Sequence, residues 1–240
     1  MSNVDVATPQ EEFRIGVLAS GGGTTFEALQ QSILDGQLVG VSIEFVICNN
    51  GPTNPDAGVW ARAERLGIPA YHVSNKTQRE CTLPPKIGGT ISYEASEKIV
   101  SIADSNHAVH MLVTLGYMKR LIGDVLEIDI ANTHPGPLGP DRLTAGFHGD
   151  GVQEEVMRKK LAYSGPTFHW LSRELDADDV PAYDMGPEIG HEPVAVTDEM
   201  RAEWDKFGTV KQLKAEVMRV EKLWVPNWVG MARDQVLASA

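Results

Sequence analysis

Cysteine is nearly absent from this chain of 240 residues, which contains only Cys48 and Cys81. Cys48 lies in an apolar, strand-like run and Cys81 in a polar stretch, so neither number nor spacing suits a disulfide framework or a thiolate metal site. A reducing compartment is expected. Basic charge is also scarce, with 21 Lys and Arg against 33 Asp and Glu and a formal net charge of -12. No basic stripe with interleaved aromatics offsets that balance, which argues against nucleic acid as a bulk partner. Long apolar runs are missing as well. None approaches the ~20 residues needed to cross a bilayer, so no membrane partner is expected, and residues 1–12 lack the positive start and apolar stretch of a signal peptide. The reading is a cytoplasmic protein with a disordered leader over 1–12 and a single domain over 13–240.

What is present is regular alternation. Apolar runs at 13–19, 42–48, 70–73 and 110–115 read as strands, and the patterns at 24–34, 56–66 and 91–104 read as helices. Such alternation implies the α/β class, a mostly parallel twisted sheet flanked by helices. Residues 74–90, rich in Lys, Pro and Gly, read as a surface loop long enough to form a flap beside a site. The apolar run 125–131 reads as another buried strand, followed by a helix near 152–161 and strands near 166–172 and 189–196. Toward the end, Phe207, Val210, Leu213, Val217, Val220 and Leu223 recur at spacings of three and four, the pattern of one helix face packed on the body.

Three motifs carry chemistry. The first, Asn132-Thr133-His134-Pro135-Gly136-Pro137, follows the 125–131 run. In extended chain Asn132 and His134 project from the same face, and the two prolines prevent ordinary strand pairing beyond them. An amide donor beside an imidazole can handle the oxygen and the proton of an acyl transfer. The second, Ser20-Gly21-Gly22-Gly23-Thr24-Thr25, follows the first strand. Its glycines bring backbone N–H groups close to a ligand, and a helix start there favours an anion. It matches neither the Walker pattern nor the full dinucleotide fingerprint, and a plain strand-to-helix turn would look similar. The third, Tyr183-Asp184-Met185-Gly186-Pro187, puts a carboxylate on a Gly-Pro turn, where it can orient an imidazole.

In this order the three motifs resemble the folate-dependent formyltransferases, most closely the branch that formylates glycinamide ribonucleotide in purine biosynthesis. Gly116-Tyr117-Met118-Lys119 and Gly165-Pro166-Thr167-Phe168-His169 add to the likeness, which runs from Phe13 to about Val229. The resemblance implies a Rossmann-like formyltransferase fold, with a phosphate-binding half over about 13–115 and a folate and catalytic half over about 116–240. It implies 10-formyltetrahydrofolate as co-substrate, no metal, small-molecule partners, and a homodimer as one option for assembly. It also implies roles. Asn132, His134 and Asp184 would be catalytic; Gly22, Gly23, Thr24, Thr25, Met118, Pro135 and Glu221 would contact the ribonucleotide; Lys119, Arg120, Leu121, Leu171, Ser172 and Arg173 would line the folate pocket.

Several positions depart from that pattern. Thr25 stands where the family has Asn, and Lys119 where it has a planar Arg, which removes a bidentate fork. The arginine that often reaches the phosphate is missing near Ser92 and Tyr93, leaving Lys76, Arg79 or Lys86 as substitutes. Gly136 to Pro140 replaces the usual Ser-Leu-Leu-Pro. Asp176 competes with Asp184 for the aspartate role, and the following Gly186-Pro187 favours Asp184. Plainer readings apply elsewhere: His107, His110 and His191 lack metal-site spacing, His148 is a loop histidine or a neighbour of the site, and Trp170, Trp204, Trp224 and Trp228 are packing residues. Glu221 sits among charges, where a solvated helix face is the default. The other functions in view are a formyltetrahydrofolate hydrolase, a formyltransferase acting on another amine, and a non-catalytic nucleotide-binding relative.

Overall fold

Among the described residues, seven strands form one sheet in which the chain starts at the centre and works outward, first to one side and then to the other. In the computed structural model, which describes residues 12–74, 91–174, 183–204 and 208–239, with the side chains of 105 and 106 excepted, β1 is Phe13–Ala19, β2 Val41–Cys48 and β3 Ala70–His72. Then β4 (Met111–Thr114) lies on the other side of β1, followed by β5 (Ile130–His134). A two-residue strand, β6 (Tyr163–Ser164), precedes β7 (Thr167–Trp170), β8 (Glu188–His191) and β9 (Val194–Ala195). The sheet order is β3-β2-β1-β4-β5-β7-β8, and β6 pairs with β9 apart from it. Neighbours from β3 through β5 are parallel, while β7 and β8 add antiparallel. The sheet is mostly parallel, as the alternation implied.

The central strands are apolar on both faces because helices cover both. On one face Ile15, Val17 and Ala19 pack with Phe26 and Leu29 of α1 (Thr24–Leu34), Ala63 of α2 (Val59–Leu66), and Val225 and Trp228 of α6 (Thr209–Ser239). On the other, Leu18, Phe45 and Leu112 pack with Ala95 and Ile99 of α3 (Tyr93–Ser101). Gly16 is required between them, since a Cβ there would overlap the Phe45 ring. The remaining helices are α4 (Asp150–Arg158) and α5 (Asp198–Ala202).

Several element boundaries differ from the sequence reading. Residues 125–131 are not one strand: Gly123–Glu127 is a 3-10 turn, and only Ile130 onward pairs with β4. The expected helix at 91–104 starts at Tyr93, because the Ser92 hydroxyl accepts from Ala95 N and caps it, and it runs into a π-helical turn at Ile102–His107. The expected strand 189–196 is two strands, β8 in the main sheet and β9 in the small one. In α6, Leu213, Val217 and Val220 are buried, but Leu223 is 61% exposed. The helix first packs on α4 and then crosses the sheet, so its buried stripe rotates through Glu221 and Val225 and leaves Leu223 outside. Trp228 is buried, Trp224 stacks on it with ring centroids 6.3 Å apart and is 37% exposed, and Trp204 is 42% exposed. Most of the leader, most of the 74–90 loop with Lys76, Arg79, Cys81 and Lys86, and Asp176 and Phe207 lie outside the described residues.

Candidate active site

The strand order reverses direction between β1 and β4, and a ligand crevice is expected at the carboxyl ends of strands at such a point. A cavity of about 580 Å³ opens there, walled by residues 21–25, 115–120, 132–135, 145–149 and 183–185, with Lys214, Met218 and Glu221 of α6. Gly23 stands at the start of α1 with φ 73°, where any Cβ would also crowd Val59 at 2.8 Å. Among the described residues no side chain caps α1 at Gly23, and the first turn of the helix faces the cavity. Ser20 accepts a 2.7 Å bond from Met118 N, which ties the β1 turn to the β4 turn. Arg62 Nη1 donates to Gly22 O at 2.7 Å while its Nε holds Glu27 Oε2, so this guanidinium braces the glycine turn from behind. Inside the cavity Thr25 Oγ1 donates to Glu221 Oε1 at 2.9 Å. Glu221 is buried, not on a solvated face, and burial pushes its carboxyl up to about 7 despite the Thr25 bond.

Asn132 and His134 sit on the last turns of β5, both buried and both on the cavity wall. Asn132 Oδ1 accepts from Thr114 Oγ1, and its Nδ2 lies 3.0 Å from His169 Nε2. His134 Nδ1 faces Asp184 Oδ1 at 3.5 Å, and its Nε2 lies 2.9 Å from Thr144 Oγ1. Asp184 Oδ2 accepts from Gly146 N at 2.8 Å, and Oδ1 also lies 3.7 Å from His169 Nε2. One buried carboxylate thus stands between two imidazoles. Burial lowers the basicity of His134, and the Asp184 charge opposes that shift. The Thr144 hydroxyl reaches both His134 Nε2 and, at 2.8 Å, Pro137 O. When the ring is neutral with its proton toward Asp184, the hydroxyl can donate to Nε2. When the ring is an imidazolium, Nε2–H donates to the hydroxyl, which turns its own proton to Pro137 O.

The segment that departs from the family pattern is firmly held. Pro135, Gly136 and Pro137 present three successive carbonyls, and each receives a buried side-chain donor: Gln153 Nε2 at 2.6 Å, Thr167 Oγ1 at 2.8 Å and Thr144 Oγ1 at 2.8 Å. Gln153 is in turn fixed by Ser164 Oγ at 2.7 Å. Gly136 is required because a Cβ would overlap Val152 and Thr144, and Gly186 because a Cβ would overlap the Trp170 carbonyl.

The expected residues divide into two groups. Asn132, His134, Asp184, Gly22, Gly23, Thr24, Thr25, Met118, Pro135, Glu221, Lys119 and Arg120 line the cavity. Leu121 is buried in the core instead, and Leu171 and Arg173 border a separate depression of about 70 Å³, where Arg173 pairs with Asp129 at 3.2 Å. Ser172 Oγ accepts from Glu174 N and lies off the cavity wall. His148 is exposed on the wall. The sequence reading missed His169, Thr114, Thr144 and Lys214. A partial signal existed for His169, since Thr167 and His169 share a face of β7 by strand alternation.

A parallel ladder extended by two antiparallel strands, with a glycine turn after β1, matches the fold of solved formyltransferases. Among proteins of that fold, the similarity is to phosphoribosylglycinamide formyltransferases. Over 166 residues the chain is 28% identical to the chloroplastic phosphoribosylglycinamide formyltransferase of Arabidopsis thaliana, a match covering 68% of this chain and 51% of the plant protein. The chain therefore spans about half the length of that curated relative. Glycinamide ribonucleotide transformylase 1 from Symbiobacterium toebii superposes with a TM-score of 0.71 at 22% identity, over 93% of this chain and 89% of that one. Phosphoribosylglycinamide formyltransferase from Bacillus halodurans gives 0.68 at 25% identity, over 90% and 93%. No protein-family model matches the chain.

Proposed function

We propose that this protein transfers the formyl group of 10-formyltetrahydrofolate to the amine of glycinamide ribonucleotide. The observation that carries the reading is that the open start of α1 and the Asn132, His134 and Asp184 group line one cavity. An anion at Gly22, Gly23, Thr24 and Thr25 leaves the far end of a small phosphorylated amine near β5, with Glu221 beside the ribose and Met118 and Pro135 along the chain between. Lys119 and Arg120 lie on the wall proposed for the folate.

The chemistry needs no covalent enzyme intermediate. The amine attacks the formyl carbon, a carbon–nitrogen bond forms, and the carbonyl oxygen becomes an oxyanion. Asn132 has a second amide proton for that oxygen, a contact typically worth ~3 kcal/mol in the transition state. The His134–Asp184 pair takes the amine proton and returns it to the folate nitrogen as its bond to the formyl carbon breaks. A ring held neutral by burial is ready to accept that proton, and as a cation it finds acceptors already in place at Thr144 and Asp184.

The test is incubation with a 10-formyl folate and glycinamide ribonucleotide, water alone, or an amino-sugar nucleotide, following the deformylated folate by absorbance. Turnover that depends on glycinamide ribonucleotide is expected. Equal turnover in water alone would replace transfer by hydrolysis, preference for the amino sugar would change the acceptor, and inactivity with all three would indicate a non-catalytic relative.

A further inference from the structure

Three side chains on neighbouring strands form one rung beside the cavity. Thr114 of β4 is in register with Asn132 of β5, and Asn132 with His169 of β7. Thr114 and His169 are wholly buried, and Asn132 is 5% exposed. His169 Nδ1 lies 2.9 Å from the Trp170 carbonyl oxygen. A carbonyl only accepts, so Nδ1 carries the ring proton and Nε2 presents a lone pair to the Asn132 amide, 3.0 Å away.

The two neighbours of that amide are not equivalent. The Thr114 hydroxyl can donate or accept, so it tolerates either orientation of the Asn132 amide. His169 does not. An inverted amide would set Oδ1 against the Nε2 lone pair, two buried acceptors face to face, with the cost of leaving both unpaired. Protonation of Nε2 would reverse the preference, and the surroundings oppose it. Burial holds the ring well below the ordinary imidazole range; Asp184, 3.7 Å from Nε2, works the other way, and His134 and Arg142 add to the lowering.

We propose that His169 is a positioning residue for Asn132: its unprotonated Nε2 takes one amide proton and thereby fixes the other toward the cavity. The inference rests on the formyl-transfer reading only in assigning that second proton to the oxyanion. The nearby Asp184 carboxylate is not a partner for Nε2 in this tautomer, because both would accept. Its place is with His134 and Gly146.

Histidine-selective 15N NMR of the ligand-free protein tests the tautomer directly. His169 should show a protonated Nδ1 and an unprotonated Nε2 throughout the neutral range; an Nε2–H tautomer or an imidazolium there overturns the proposal. In the assay, His169→Leu should lower kcat about 100-fold, the scale of losing one oxyanion donor, while KM for either substrate stays within about twofold. His169→Gln, which keeps an acceptor at the far end of its side chain, should recover most of that loss. In an Asn132→Ala background, His169→Leu should cost little more. A full, multiplicative loss in that background overturns the proposal, as does failure of Gln to do better than Leu. The tautomer measurement needs no substrate and so fails only with this inference, whereas an unmodified protein inactive on every acceptor fails the proposed function.

Discussion

Thr25 and Glu221, 196 residues apart, meet through a 2.9 Å hydrogen bond that ties the first turn of α1 to the middle of α6. Both side chains are buried, and the carboxylate is an acceptor pointed at the turn where a substrate phosphate is proposed to sit. The contact turns a residue that sequence alone would place on a solvated face into part of the cavity wall.

Glu221 should make stability depend on pH. Its folded value of about 7 lies above the ordinary 4.5, so the folded protein holds a proton that the unfolded chain has released between those values. Stability therefore falls as pH rises through that window and levels off above it, by about 3 kcal/mol in all. Glu221→Gln should remove this slope and be the more stable protein at the upper end. Urea unfolding at both ends of the window measures it, and parallel slopes in the two proteins would contradict the assignment.

Asp184→Asn should be far more damaging than Asp176→Asn. Asp184 supports a protonated His134 across 3.5 Å and braces the 145–149 segment through Gly146 N. Its loss should cut kcat about 10- to 100-fold and move the acid limb of the pH–rate profile to lower pH, because the charge that raises His134 is gone. The opposite ranking would move the site eight residues upstream.

Asn132→Ala and His134→Ala should each reduce kcat by about 100-fold or more. Calorimetric binding of glycinamide ribonucleotide should be nearly unchanged, since the proposed phosphate turn follows β1 and not β5. Retained activity in both variants would remove them from the chemistry.

Gly136→Ala tests how the segment leaving β5 is held. The added carbon would overlap Val152 and displace Thr144 from His134 Nε2. Overpacking of this kind costs roughly 1–3 kcal/mol, so thermal unfolding should shift down together with kcat. Gly21→Ala, where nothing lies within 4 Å of the added carbon, should leave the unfolding temperature almost unchanged.

Local pattern carried much of this molecule. The limits of β1 and α1 follow from apolar runs bounded by a glycine turn, and period-two alternation put Asn132 and His134 on one face before any fold was known. Where the signal was only composition, it misled. The 125–131 run is apolar because it packs with α3 and the central strands, and apolar character alone does not separate a 3-10 turn from a strand. The 189–196 run changes sheets at Glu192 and Pro193, which no local periodicity records.

The sequence by itself determined the α/β class, the turn after β1, and the placing of Asn132 and His134 on one strand face, because these depend on residue type and near-neighbour spacing. Only the tertiary structure decided what each side chain touches. His169 faces Asn132 through strand register, Thr144 reaches His134 across a loop, and Glu221 turns inward to Thr25 through the path of α6 over the sheet. Such contacts join residues 10 to 196 positions apart, and they are set by which strands pair and how helices pack, neither of which is written in any short stretch of chain.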